Sequence, residues 1–130
     1  MTAIRVDSSD AKQLVAQLDK TTSRALDETL AVVKKGAQNI KEDARKRVSG
    51  LAHAPAYPSS ITYDVWVGFR GPQAEIGPDK SKRQGALGNI LEYGTIKNSP
   101  IPHLAPALKA EEPRFLKALE DLALKALEKP

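Results

Sequence analysis

Cysteine is absent from the sequence. That excludes disulfides, thiolate metal sites and cysteine nucleophilic catalysis, while leaving the compartment open. Aromatic residues are scarce, with one Trp, three Tyr and two Phe, so any core must rest on Leu, Val, Ile and Ala. No run of about 18 apolar residues exists, so no stretch reads as a membrane-spanning helix. Only two histidines are present, His53 and His103, and no His, Asp or Glu cluster stands at metal-ligand spacing. The opening stretch, Met1 to Asp10, is mixed and polar and lacks the apolar centre of a secretory signal. The expectation is a protein that stays in the cytoplasm where it is made, or leaves it inside an assembled particle.

What is present suits one folded domain over 1–130. Hydrophobic residues make up 41% and charged residues 28%, a balance of globular rather than disordered chains. A chain of 130 residues can bury one modest core. The net charge of +4 permits contact with nucleic acid without requiring it, because a dedicated binder concentrates its charge on one face.

Residues 10–49 read as helix, with Ser9 or Asp10 as cap and residues 1–9 as a flexible arm. Leu14, Val15 and Leu18 open an apolar series. After a polar break at Thr21, Thr22 and Ser23, which suggests a bend or a separate first helix, it resumes at Leu26, Leu30, Val33, Ala37, Ile40, Ala44 and Val48. Steps of three and four make this one stripe. Gly50 suits the helix end. The opposite face carries Lys34, Lys35, Lys41, Arg45, Lys46 and Arg47. It is either a nucleic-acid or partner surface, with Lys34, Lys41 and Arg45 as its candidates, or a solvated face, the more ordinary reading.

Pro55 and Pro58 argue against a regular element in 51–60. Ile61, Tyr63, Val65, Val67 and Phe69 then alternate with Thr62, Asp64, Trp66, Gly68 and Arg70, which predicts a strand whose first set faces the core. Gly71-Pro72 reads as the turn and 73–77 as the return strand. Trp66 falls on the polar face, either as a partly covered surface aromatic or as an anchor at a subunit contact. Residues 78–85 form a polar, mobile loop whose Lys80, Lys82 and Arg83 could meet phosphate. Leu87, Ile90 and Leu91 predict a short helix stopped by Gly94. Pro100, Pro102 and Pro106 make 95–106 extended. A last helix is expected from Pro113 to Glu128, with Glu111 and Glu112 at its positive end. The sum is an α+β domain: long helix, hairpin, short helix, C-terminal helix.

The stretch from Leu87 to Leu108 carries a further signal. Leu91-Glu92-Tyr93-Gly94-Thr95, the proline-rich bend through Pro102, and Pro106-Ala107-Leu108 resemble, in that order, the signature of a tailed-bacteriophage family, the gene-product-ten-like tail-completion, neck or head–tail joining proteins. Gly77-Pro78 at the hairpin's close also fits. The bend differs in having His103-Leu104 where the family has phenylalanine-leucine, and Pro113 interrupts a helix that is commonly continuous. The resemblance implies a structural virion protein rather than an enzyme, with no cofactor. Copies would form a ring at the neck, contacting other neck, connector and tail proteins around packaged DNA.

The signature also has a physical account of its own. Gly94 can take positive φ, Glu92 can accept backbone N–H groups from the proline segment and pin it, Thr95 can bond locally, and the prolines reduce the entropy lost on ordering. A catalytic pairing of Glu92 with His103 would need a nucleophile or metal that the sequence does not supply. The alternative reading is a small basic nucleic-acid-binding module.

Overall fold

A computed structural model describes residues 19–128. Its order is α1 (Asp19–Arg47), α2 (Tyr57–Ser60), β1 (Ile61–Gly68), β2 (Gly71–Pro78), a 3₁₀ turn (Gly85–Leu87), α3 (Gly88–Tyr93) and α4 (Leu104–Glu128). The class is α+β. The expected cap at Ser9 or Asp10, the 1–9 arm and the apolar residues at Leu14, Val15 and Leu18 lie outside the described residues. No described helix is long and apolar enough to cross a membrane.

At 29 residues α1 is about 44 Å long. It runs unbroken through Thr21, Thr22 and Ser23, where the sequence suggests a bend or the end of a separate first helix. Ser and Thr each cost up to about 0.7 kcal/mol relative to Ala, far below the roughly 3 kcal/mol of proline, so three in a row do not stop a helix. The helix ends at Arg47, and Gly50 takes φ 80° beyond it. The apolar stripe buries Val33, Ala37, Ile40, Ala44 and Val48, whereas Leu26 stays exposed near the start of the described helix. Onto this stripe pack Ala54 and Tyr57, Ile61 at the start of β1, and Ala107 of α4.

The hairpin crosses the C-terminal half of α1. Its turn is Phe69-Arg70, with Gly68 paired to Gly71, so Gly71 and Pro72 belong to β2 instead of forming the turn. Gly71 carries φ 108°, the positive φ that lets a short turn follow the strand twist. The expected core face is correct at Ile61 and fades outward: Tyr63 and Val65 are half-buried, and Phe69 is 100% exposed. The alternation holds, but the cover is lost on the β1 side of the tip: Val67 is 50% exposed, whereas Pro72 opposite it is buried.

Helix α4 begins at Leu104, nine residues before the expected start at Pro113. Pro106 falls in the first turn, where backbone N–H groups have no intrahelical partner, so it costs no bond. Pro113 sits inside the helix and leaves the Lys109 carbonyl without its usual donor. Lys109 is exposed, so water can serve that carbonyl. Helices α1 and α4 meet closely at Gly36, where a Cβ would stand 3.0 Å from the Phe115 ring. Glu111, 2% exposed, is held there by Asn39 Nδ2 at 2.8 Å and Arg114 Nε at 2.9 Å.

Candidate functional site: the Tyr57–His103–Glu92 joint

The segment between α3 and α4 has to turn a chain rich in proline and then start a 25-residue helix. Its first N–H groups need acceptors. Glu92, near the end of α3, supplies them from outside the helix. Oε1 accepts the His103 N–H at 3.1 Å and the Leu104 N–H at 2.9 Å, and Oε2 accepts that of Ala105 at 3.4 Å. The carboxylate also faces the positive end of the helix dipole. Burial pushes the Glu92 carboxyl up, but the backbone donors of Leu104, His103 and Ala105, together with the His103 ring, outweigh it and hold the group below its ordinary value.

His103 is fully buried beside this cap. Its Nδ1 lies 2.9 Å from the Ile101 carbonyl and 3.1 Å from Glu92 Oε1. Both are acceptors, which assigns the proton of the neutral ring to Nδ1. Nε2 then accepts from the Tyr57 hydroxyl at 2.6 Å. The two rings meet edge-on, with centroids 5.3 Å apart at 87°. Burial first, and then the Glu92 charge, push the Tyr57 hydroxyl up to about 12.

Tyr57 was not singled out in the sequence, because prolines on both sides made 51–60 read as loop. It lies instead at the start of a one-turn helix with Pro58 in its first turn, a position proline tolerates. Gln84 ties this region to the basic loop: its Oε1 accepts the Ala56 N–H at 2.6 Å, and its Nε2 donates to the His53 carbonyl at 3.3 Å. His53 itself is exposed and its ring is not part of the joint.

The other signature residues take distinct places. The Leu91 carbonyl accepts the Ile101 N–H at 2.7 Å, which closes the bend. Tyr93 is exposed and Pro102 lies at the surface. Gly94 has φ 75° as expected of a helix stop, but ψ −177° puts it in the extended positive-φ region instead of the left-handed helical one. A Cβ there would stand 2.8 Å from both the Asn98 oxygen and the Pro100 nitrogen. Thr95 and Asn98 exchange backbone bonds of 2.9 and 3.3 Å, and Thr95 Oγ1 accepts the Asn98 N–H at 3.1 Å, so Ile96 and Lys97 form the tip of a tight turn. Pro106 and Leu108 are half-buried and Ala107 is fully buried. A cleft of about 430 Å³ opens beside Glu92, lined by Ile40, Ile76, Pro78, Tyr93, Leu104 and Leu108 among others.

The basic candidates do not form one free surface. The Arg45 guanidinium donates to the Ile61 carbonyl at 2.7 and 3.0 Å, and Lys41 Nζ lies 5.3 Å from the centroid of the Tyr63 ring. Lys34, Lys80, Lys82 and Arg83 are exposed. Asp79 organises the basic loop, accepting from the Ser81 N–H at 2.9 Å and the Ser81 hydroxyl at 2.6 Å. Trp66 is 41% exposed at the hairpin tip.

Tyr57 and His103 have no solvent access, and every buried side-chain polar atom among the described residues has a partner. No group of His, Asp or Glu among those residues could hold a metal ion. Chemically the arrangement is a joint that fixes the start of α4 to α2 and α3. No family model matches the sequence, and neither a curated protein nor a solved structure matches it.

Proposed function

We propose that the chain is a structural assembly subunit of the kind that joins tail to head in tailed bacteriophages, acting as copies in a ring around the DNA path, and that it is not an enzyme. The observation that carries this reading is where the apolar surface lies. Trp66, Val67 and Phe69 are exposed at the hairpin tip, Tyr93 and Ile96 around the turn after α3, and Leu116, Leu124 and Leu127 along α4. Single exposed apolar residues are ordinary, but groups of large ones on projecting features mark surfaces that other chains cover. Glu92 and Gly94 support the same reading, since both serve as parts of a rigid joint.

The nucleic-acid module gains no comparable support. Arg45 and Lys41 are engaged within the fold, so the basic set loses two of its members to structural contacts. Sedimentation of the purified chain across micromolar concentrations, alone and mixed with neck, connector and tail-tube proteins, tests the proposal. Higher assemblies or co-sedimentation are expected. A monomer with no affinity for any of them overturns it.

A further inference from the structure

The two edges of the hairpin are not equivalent. The Asp79 N–H donates to the Ser60 carbonyl at 2.8 Å, which makes Ser60 and Asp79 a hydrogen-bonded pair just beyond the ladder. Pairs in an antiparallel ladder alternate between bonded and non-bonded. Ile61–Pro78, Tyr63–Ile76, Val65–Ala74 and Val67–Pro72 are therefore the non-bonded pairs, and their backbone groups point away from the hairpin. Arg45 agrees with this assignment, because it reaches the Ile61 carbonyl from outside. On the β2 edge, the outward positions include Pro72 and Pro78, which carry no N–H. Proline on an edge strand is a common bar to further pairing. The β1 edge has no such bar: Tyr63, Val65 and Val67 present both N–H and C=O outward, with no partner among the described residues.

We propose that the β1 edge pairs with the β1 edge of a second copy, antiparallel and centred on Val65, to give a four-stranded sheet in the order β2-β1-β1-β2. The occupant follows from the register. Centring on Val65 sets Val65 against Val65 and Tyr63 against Val67 of the other copy, so every free outward group meets its complement. On the solvent face it sets Asp64 beside Trp66 of the other copy, so no like charges oppose each other. The neighbouring registers are worse. Centring on Asp64 opposes two carboxylates and calls on the Ile61 carbonyl that Arg45 already holds. Centring on Trp66 leaves Tyr63 facing Phe69, beyond the strand end. A contact between β1 of one copy and β2 of the next would meet Pro72 and Pro78.

The pairing is isologous and closes at two copies. It stands independently of the neck reading, since a ring would need a further surface. One shared strand edge is small beside the roughly 1,200–2,000 Å² of a stable interface, so the pair should form and dissociate with concentration.

Amide exchange of the full-length chain, followed residue by residue at several concentrations, tests the pairing beside sedimentation. At low concentration the Asp64 and Trp66 amides, which bond to β2, should be protected, and those of Tyr63, Val65 and Val67 should exchange freely. With rising concentration a dimer should appear, and exchange at these three should slow by about tenfold or more. Val65→Pro removes an outward N–H and no bond within the hairpin, so it should abolish the dimer. Protection of Asp64 and Trp66 in that variant reports that the hairpin still forms. Three results overturn the proposal: no dimer at any concentration, protection of the three amides in the monomer, or a dimer that survives in Val65→Pro with its hairpin intact.

Discussion

The Tyr57 hydroxyl and His103 Nε2 lie 2.6 Å apart across 46 residues of sequence, and both side chains are completely buried. The pair joins α2 to the start of α4. Each partner satisfies the other, so removing either one should cost more than the bond itself contributes. Tyr57→Phe leaves Nε2 buried without a donor and should destabilise the protein by about 1–3 kcal/mol. His103→Ala adds a cavity to the same loss and should cost more. Thermal melts at neutral pH rank the two. A Tyr57→Phe variant as stable as the parent would mean that the bond is not formed.

The same hydroxyl makes a prediction for alkaline pH. Burial, and then the Glu92 charge, raise Tyr57 from 10.0 to about 12 in the folded protein. The folded state therefore holds its proton more tightly than the unfolded state. Stability from this group is complete below pH 10 and is lost as pH rises from 10 towards 12. Denaturant midpoints measured across that window should fall for the parent and fall less for Tyr57→Phe.

Glu92 acts in the opposite direction. Its folded carboxyl is held below the ordinary value of 4.5, so its contribution is present above that pH and is lost as pH falls through the folded value. Glu92→Gln keeps an acceptor but loses the charge-assisted bonds, at a cost of about 1 kcal/mol. Glu92→Ala leaves the N–H groups of His103, Leu104 and Ala105 without their acceptor and should cost at least about 2 kcal/mol. Acid melts should rank parent, Gln and Ala in that order, and under the proposed neck role a particle-completion assay should follow the same ranking. Loss of function in the Gln variant with an unchanged melt would instead mark Glu92 as a reactive group.

Gly94→Val places a β-branched residue at φ 75°, ψ −177°, with its Cβ against the Asn98 oxygen and the Pro100 nitrogen. That backbone region is essentially reserved for glycine, so the cost should be at least about 2 kcal/mol. Equilibrium unfolding in urea measures it. A near-neutral result would show that the 94–100 turn can be rebuilt without harm.

Arg45→Met should destabilise by about 1–3 kcal/mol, because the Ile61 carbonyl loses a charged donor. Lys34→Ala should change stability by less than about 0.5 kcal/mol, as should Lys80→Ala and Lys82→Ala. A cationic DNA surface is therefore best tested with Lys34, Lys80, Lys82 and Arg83 neutralised together. Under the proposed neck role, that variant should complete particles normally.

The order of elements was legible in the sequence because period and punctuation agreed: the stripe from Val33 to Val48, the alternation from Ile61, and the glycine after Tyr93. Glu92 as the anchor of the proline segment was legible for the same kind of reason, a lone carboxylate set just before donors with nowhere else to bond. Three things were hidden. Helix boundaries near proline are not legible, since Pro58 and Pro106 lie in first turns where the missing N–H does no harm. The partner of His103 was hidden because Tyr57 is distant in sequence and bracketed by prolines. The Asn39–Glu111 contact joins residues 72 apart, and no local pattern announces it. Such pairs are set by how helices cross, which periodicity does not encode.

The bonds that hold α4 also differ in when they can form. Glu92 is only 11 to 13 residues from the groups that it caps, whereas Asn39 and Glu111 must close a loop of 72. Closing the longer loop costs more chain entropy. During synthesis the carboxylate of Glu92 is already outside the ribosome when Leu104 and Ala105 emerge. The first turn of the last helix can thus be started locally, and its docking along α1 follows once Glu111 and Phe115 have appeared.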